Sequence, residues 1–529
     1  MTANKPKVLI SDKMSPQAEA IFKSRGVDVI VKTELKPEEL AAALNDVDGL
    51  AIRSSTKVTA DILKNAKNLK VIGRAGIGVD NVDVPAATAT GVVVMNTPFG
   101  NSITTAEHTV AMLMSLARQI PQANASTHAG KWEKSKFMGQ ELFGKTLGVI
   151  GCGNIGAIVA DRALGLKMKV IAFDPFLSAE RAVELGVEKV ELEDVLTRAD
   201  FITLHTPMTD STRGIINKAA IAKMKKGVRL INCARGGLIV EADLKEALDS
   251  GHVAGAALDV FEEEPAKANP LFGHENVICT PHLGASTVEA QENVALQVAE
   301  QMADFLLQGA VANAVNMPSV SAEDAPKLKP YMKLAEQLGS FAGQLAEADT
   351  QEIQIEYEGL VAGLNTRPLT ALVLAGFLKP SMEGVNIVSA PARAKERGMT
   401  VAETKREKSK DFLTLVRVTV TGKSGSHSVA GTIFGGEQPR LVAVDNVPIE
   451  AQLDGEMLFI QNLDKPGLIG AVGTLLGNAN VNIADFNLGR IPGKSKAISL
   501  ISVDSAVDAK ILDAIDALEQ VEVVKILRF

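Results

Sequence analysis

Residues 151–156 read GCGNIG, directly after the apolar run TLGVI and at the opening of a stretch with helical spacing. Three glycines so spaced between a strand and a helix leave few folding options. The first permits a tight turn, the second lets backbone approach a bound group, and the third lets helix and strand pack closely. The surrounding runs repeat the alternation. TLGVIG (146–151), MKVIAFD (168–174), FITLHT (201–206), VRLINCA (228–234), AGAALDV (254–260) and VICTPH (277–282) read as six strands separated by helix-length segments. Strand and helix in turn predict a parallel sheet with right-handed crossovers, a doubly wound Rossmann-type α/β unit over 99–286.

An earlier series has the same character. KVLISD (7–12), VDVIVK (27–32), GLAIR (49–53), VIGRAG (71–76) and VVVMNT (92–97) predict five strands of a flavodoxin-like unit, and NTPFGNS opens a long helix over roughly 102–119. After the second series, Ser286 and Glu289 form an S-x-x-E capping box. The helix it starts carries Val294, Val298, Met302, Phe305 and Leu306 on one face and stops before Gly309. That face needs cover. Packing it back on the first sheet makes the first domain discontinuous, 1–98 with 287–313, and the Rossmann unit an insertion in it. The proline-bearing NMPSVSAEDAPKLKP reads as a linker or hinge. A mixed α+β unit follows over 319–452, with strands EIQIEYEGL and DFLTLVRVTV and helix TRPLTALVLAGFL. Residues 456–529 read βαββαβ, a small ferredoxin-like sandwich.

Bulk properties exclude several classes. A chain of 529 residues exceeds what one core serves, and 46% hydrophobic with 22% charged residues is an ordinary globular profile. A net charge of −8 steers the chain towards neither nucleic acid nor an anionic membrane, and no apolar run is long enough to span one. The N-terminal MTANKPKVLISD passes into a strand with no room for a signal peptide. Cys152, Cys233 and Cys279 lie far apart, which argues against a disulfide framework or a metal site and fits the cytoplasm.

The chemistry begins at the glycines. The helix N-terminus that follows Gly151, Gly153 and Gly156 offers unpaired N–H groups to a pyrophosphate. Asp174 ends the next strand, where a carboxylate accepts hydrogen bonds from an adenosine ribose; Pro175 and Phe176 follow rather than an arginine, which favours NAD over NADP. The plainer alternative is a tight structural turn. Removing hydride from a secondary alcohol requires a base for the hydroxyl proton and a cation for a neighbouring carboxylate. Arg235 in NCARGG, Glu264 in DVFEEEP and His282 in TPHLGAST fit those needs at three successive strand ends. His282 would take the proton, and Glu264 would orient the imidazole. Singly, each is as well read as a loop histidine or a solvated acid. Arg53 and Arg74, at neighbouring strand ends of the first unit, suit a phosphate dianion, or else are surface arginines paired with carboxylates.

On IRSST, GRAGIGVDNVD, MNTPFGNS, GKWEKSKFMG, LGVIGCGNIG, NCARGG, AALDVFEEEP and TPHLGAST, the chain resembles the D-isomer-specific 2-hydroxyacid dehydrogenase family across residues 1–310. Within it the likeness is to the long forms that oxidise 3-phospho-D-glycerate, the first step towards L-serine. The resemblance implies that Arg235 binds the substrate carboxylate, His282 is the acid/base and Glu264 its partner. It implies an NAD site lined by Gly151, Gly153, Asn154, Ile155, Gly156, Asp174, Thr206, Cys233, Ala234, Arg235, Asp259, His282, Gly284 and Ala285. Cys233 is otherwise a small buried residue and Asp259 a strand-end capping acid. It adds Arg53, Ser54, Arg74, Gly76 through its N–H, Asn101 and Lys134 as substrate contacts, the last from a neighbouring subunit of a homotetramer. YEGLVAGLNTRPLTALVL and VAGTIFGGEQPRLV resemble an intervening domain of those long forms, where Arg393, Lys395, Arg397 and Arg440 offer an anion site or a solvated basic face. IQNLDKPGLIG and ANVNIADFNLGR resemble an ACT domain, with L-serine as effector on Asn462, Asp464 and Asn482 across a subunit interface. The rival readings are a sister dehydrogenase acting on glycerate or 2-hydroxyglutarate, and a dinucleotide-sensing regulatory protein.

Overall fold

The computed structural model describes residues 5–320, 323–346, 349–491 and 496–529. Five short apolar runs, Lys7–Ile10, Asp28–Val31, Gly49–Ile52, Val71–Arg74 and Val93–Met95, make a parallel sheet in the order second, first, third, fourth, fifth. That is the flavodoxin-like order, with a switch point beside the first strand. A second parallel sheet is built from Thr146–Ile150, Lys169–Phe173, Glu188–Lys189, Phe201–Leu204, Val228–Asn232, Val253–Leu258 and Val277–Cys279. Its order is third, second, first, fourth, fifth, sixth, seventh, the Rossmann arrangement. It has seven strands where the apolar runs predict six. The extra edge strand, Glu188–Lys189, is two exposed charged residues long and carries no hydrophobic signal.

The helix Val288–Gln308 returns to the first sheet. Its Val294, Val298 and Met302 are buried in one core with Val8, Ile10 and Val71, and the chain leaves it through Gly309 in the left-handed region. The approach is close: a Cβ on Gly73 would lie 2.2 Å from Met302 Sδ. The N-cap predicted at Ser286 is displaced by one residue, and the capping box with Glu289 does not form, since Ala290 then stands at the third helical position. Thr287 is the N-cap, its hydroxyl accepting from Ala290 N–H at 3.2 Å, because Ser286 N–H is drawn into a turn onto Leu283 O.

The predicted linker is also shorter than read. Helix Ala325–Leu345 begins inside it, with Pro326 in the first turn, where a missing N–H leaves no bond unmade, and Pro330 just beyond. This helix crosses Arg367–Leu378 so closely that a Cβ on Gly376 would lie 2.2 Å from Glu336 O, and one on Gly339 2.1 Å from Val373 O. Both helices cover a six-stranded sheet ordered Thr400–Arg406, Glu352–Gly359, Thr414–Gly422, Gly425–Phe434, Gln438–Val444, Val447–Ala451.

The C-terminal unit is a four-stranded antiparallel sheet ordered Ile483–Arg490, Lys496–Val503, Glu456–Leu463, Val521–Arg528, the ferredoxin-like arrangement expected. Helices Leu468–Asn478 and Ala509–Asp516 cover one face. The other face, with Met457, Phe459, Leu500 and Leu527, packs on helix Ala325–Leu345, where Phe341 meets Phe459 edge-on at 6.0 Å. Among the described residues no helix is long and apolar enough to cross a membrane.

Because backbone touches backbone where the two helices cross, Gly376→Val forces them apart. The substitution is expected to destabilise this part of the chain by about 1–3 kcal/mol. Differential scanning calorimetry should show a transition moved to lower temperature; an unchanged thermogram would contradict the packing argument.

Candidate active site

The glycine loop behaves as its spacing requires. Gly151 has φ 91°, and a Cβ there would lie 2.5 Å from His205 O. A Cβ on Gly156 would lie 2.0 Å from Gly151 O, so this glycine lets helix Asn154–Gly165 start against the strand. A Cβ on Gly153 would meet nothing within 4 Å. Open space at the second glycine, at the N-terminus of a twelve-residue helix, is room for a phosphate group. Asp174 follows the next strand and folds back onto the loop, its Oδ2 accepting from Cys152 N–H and its Oδ1 from Phe176 N–H, both at 2.8 Å. One face thus offers backbone donors, space and a carboxylate, the set an NAD-type dinucleotide needs. Thr206 lies just past the neighbouring strand end, half-exposed.

Three adjacent strands, Val228–Asn232, Val253–Leu258 and Val277–Cys279, end at the segments carrying Arg235, Glu264 and His282. Glu264 Oε2 lies 2.7 Å from His282 Nδ1, and its Oε1 accepts from Phe261 N–H at 3.1 Å. Burial alone would raise the Glu264 pKa, but the bonds from His282 and Phe261 hold it below the usual carboxylate range. With Nδ1–H held by a carboxylate, Nε2 is the nitrogen left to accept a proton. His282 sits at φ 55°, a backbone conformation a histidine adopts only when its surroundings impose it.

What imposes it is Asp259. This wholly buried residue accepts from Leu283 N–H at 2.7 Å, Gly284 N–H at 2.8 Å and the Thr280 hydroxyl at 2.6 Å, while its carbonyl accepts His282 N–H at 2.9 Å. His108 Nε2 lies 3.3 Å from both Thr280 Oγ1 and Asp259 Oδ1. Burial pushes the Asp259 pKa up, yet these hydrogen bonds bring it below the ordinary value. The capping alternative describes what is seen at Asp259: its carboxylate orders the loop that carries His282. Cys233 is likewise buried, its thiol pushed up to about 12, and Ala234 N–H bonds Asn232 Oδ1. Gly284 is buried and Ala285 half-buried at the turn before Thr287.

Across the cleft the first unit presents arginines. Arg235 reaches it, its Nε 2.9 Å from Asp80 Oδ2. The Arg74 pKa falls to about 10, first through burial and then through the positive charges of Arg235 and Arg53, against Asp80 and Asp12. The guanidinium groups of Arg74 and Arg235 press on the same turn, at Gly76 and Gly78, while Arg53 Nη1 bonds Lys13 O at 3.2 Å. Arg74 Nε and Asn101 Oδ1 are buried with no hydrogen-bond partner among the described residues. Buried polar atoms of this kind cost free energy until a partner meets them. Ser54 is exposed on the loop that Asp12 holds through Arg53 N–H, at 2.6 Å, and the Thr56 hydroxyl, at 2.7 Å. Gly76 differs from expectation. Its N–H is spent on Thr97 Oγ1 at 2.7 Å, and its lack of a side chain makes room instead for Arg74, since a Cβ would lie 1.6 Å from Arg74 Nη1. Lys134 stands apart in an exposed turn, Lys134–Lys136, between the exposed Trp132 and Met138.

Asp12, Asp80, His108 and Thr280 escape sequence reading, although Asp80 stands in the GIGVDNVD stretch at a strand end, the signal that marks its partner Arg235. The proposed effector residues are not gathered within one chain. Asn462 and Asp464 lie at the end of the last sheet where Leu463 pairs Lys496, whereas Asn482 precedes Ile483, paired with Val503 at the other end. There Asn482 Nδ2 donates to Asp504 Oδ2 at 2.6 Å. Asn462 Oδ1 is buried without a partner among the described residues, and Arg490 Nη1 lies 3.7 Å from Asp464 Oδ2.

Comparison with known proteins covers the chain in three parts. Residues 110–284 match the NAD binding domain of D-isomer specific 2-hydroxyacid dehydrogenases, 327–445 a D-3-phosphoglycerate dehydrogenase intervening domain, and 457–520 an ACT domain. A D-3-phosphoglycerate dehydrogenase of Bacillus subtilis is 44% identical over 523 residues, covering 98% of this chain and 99% of that protein. One of Synechocystis is 45% identical over 511 residues, covering 96% and 92%. Among solved structures, a D-lactate dehydrogenase from Aquifex aeolicus complexed with NAD and lactic acid is 27% identical at TM-score 0.53, covering 59% of this chain and all of its own (100%). A glyoxylate reductase from Paecilomyes thermophila is 29% identical at TM-score 0.56, covering 59% and 99%.

If Asp259 shapes the His282 loop, Asp259→Asn should lower stability by about 1.5–3 kcal/mol through its charge-assisted bonds. The sign with pH follows from a depressed folded pKa. The contribution is complete above the unfolded carboxylate value of about 3.9 and fades as pH falls through the lower folded value. Thermal unfolding at neutral pH should therefore separate parent and variant, and below about pH 4 the gap should close.

Proposed function

The chain belongs to the D-3-phosphoglycerate dehydrogenase family of NAD-dependent oxidoreductases, and from that premise we propose how its own residues oxidise 3-phospho-D-glycerate. The observation that carries the reading is the Glu264–His282 pair together with Arg235, which meets Asp80 of the first unit and presses on the same turn as Arg74. A substrate with a carboxylate at one end and a phosphate at the other meets that charge pattern. Arg235 takes the carboxylate, and Arg53 and Arg74 take the phosphate, with Ser54, Gly76 and Asn101 around them. His282 Nε2 removes the hydroxyl proton, and Glu264 stabilises the imidazolium so formed. Bound NAD supplies the acceptor for the hydride. Asn154, Ile155 and the glycines hold the dinucleotide phosphates, Asp174 the ribose, and Thr206, Cys233, Ala234, Asp259, Gly284 and Ala285 line the remainder.

In this reading residues 1–98 with 287–313 are the substrate unit, 99–286 the NAD unit, 319–452 the intervening domain and 456–529 the ACT domain, in a cytoplasmic homotetramer. Trp132, Met138 and Phe143 are 87%, 79% and 73% exposed, an apolar surface that a second copy would cover while bringing Lys134 to a neighbouring site.

L-serine is proposed as the effector. Strand Ile483–Arg490 is an edge of its sheet, so a two-fold copy pairing along it would bring Asn482 of one chain to the Asp464 end of the other. Buried Asn462 Oδ1 and the start of helix Leu468–Asn478 support a polar, carboxylate-bearing guest there.

Following NADH absorbance, His282→Ala should lower turnover by ~10²–10⁴ while the dinucleotide still binds. Arg53→Ala should lose about 1.5–3 kcal/mol of substrate binding, and much less for an unphosphorylated 2-hydroxyacid. Equal losses on both substrates would remove Arg53 from phosphate recognition. In the same assay serine should inhibit cooperatively, and Asn482→Ala should abolish inhibition at unchanged turnover. Indifference of the intact enzyme to millimolar serine would sink the effector assignment.

A further inference from the structure

Of the four basic residues marked in the intervening domain, three are engaged elsewhere: Arg393 with Glu396 at 2.9 Å, Arg397 with the Ser381 hydroxyl at 3.2 Å and Arg440 with Gln452 at 3.1 Å. They do not form one anion site. Lys395 instead lines a groove of about 370 Å³ with Arg367, Glu403, Leu374, Met399 and Pro318. Among the described residues neither Arg367 nor Lys395 has a carboxylate within ion-pair distance.

The acid on the opposite wall is held by a directed chain. Thr370 Oγ1 lies 2.7 Å from Glu403 Oε1, Thr366 Oγ1 3.1 Å from its Oε2, and the fully buried Tyr357 hydroxyl 2.8 Å from Thr370 Oγ1. An ionised carboxylate only accepts, so both threonines donate to Glu403, and Thr370 in turn accepts from Tyr357. Buried hydroxyls are thus committed to aiming one surface carboxylate. The groove combines two free cations, a fixed anion and an apolar floor.

We propose that this groove binds a small α-substituted carboxylic acid with an apolar side chain. The carboxylate lies between Arg367 and Lys395, the α-ammonium or α-hydroxyl donates to Glu403, and the side chain rests on Leu374 and Met399. The guest also touches Pro318 in the segment joining the dehydrogenase to the intervening domain. That segment is pinned on both sides. Asn365 Nδ2 donates to Ser319 O at 2.8 Å, while Asn316 accepts Val94 N–H and donates to Val92 O, both at 2.9 Å, at the edge of the first sheet. Occupancy therefore restrains the segment, and its amide exchange slows.

The test is a calorimetric titration of the intact protein with L-leucine and, separately, with 2-hydroxy-4-methylpentanoate. At least one should bind. Arg367→Ala should weaken whichever binds by about tenfold or more, the loss expected for one charge-assisted bond. Glu403→Gln should weaken leucine by about tenfold and the hydroxy acid less, since an ammonium needs the charge and a hydroxyl needs only an acceptor. Turnover of both variants without ligand should equal that of the parent; Arg367→Ala should also unfold at its temperature, since that side chain is exposed, while Glu403→Gln, which leaves one buried threonine hydroxyl facing an amide, should unfold somewhat lower. No binding of either compound at millimolar concentration, or binding that survives both substitutions, would overturn the site.

Discussion

The burial of one face of helix Val288–Gln308 underlies much of the arrangement. Val294, Val298 and Met302 leave water against the first sheet, and each such side chain contributes about 1.5–3 kcal/mol. The loop carrying His282 is strung between the strand end at Cys279 and the Thr287 cap of that helix, so its two anchors belong to two different sheets. The same helix presses on Gly73, the residue before Arg74, and hands the chain on towards the intervening domain. Release of that face would loosen the His282 loop, the strand that bears Arg74 and the path to the intervening domain together.

Against this apolar frame stands a cleft built at some expense. Arg235 and Arg53 both repel Arg74, Arg74 Nε and Asn101 Oδ1 lack partners among the described residues, and His282 holds a backbone conformation few histidines adopt. None of these features favours folding. Each is tolerated because Asp12, Asp80 and Asp259, acids buried or drawn across the cleft, fix the loops in place. Stability and recognition are thus assigned to different residues, the usual consequence when a site must be complementary to a charged guest.

Much of this was legible in the sequence, for identifiable reasons. Buried parallel strands are apolar runs, so all five strands of the first sheet and six of the second announce themselves, while Glu188–Lys189 buries nothing and stays silent. Arg235, Glu264 and His282 stand out because chemistry requires their residue types at strand ends. The acids that organise them do not, since their partners are set by the third dimension: Asp80 meets Arg235 across 155 positions of sequence. The capping box failed by one residue because Thr287 caps as well as Ser286 does, and local pattern cannot choose between them. Gly76 was read for its N–H when the space above it was what mattered. The ACT residues show a different limit. Asn482 and Asp464 are near in sequence but at opposite ends of a sheet, and no local rule measures that separation.

The glycine loop carries one further implication. Gly151 and Gly156 are demanded by the protein's own backbone. Gly153 is crowded by nothing in the chain. Packing within the chain therefore places no demand on it, and pressure to keep a glycine there would have to come from a bound group. In descendants or duplicates that abandon the dinucleotide, residue 153 should be free to drift while its neighbours stay fixed. That single position is a record of use, separable from the record of structure on either side.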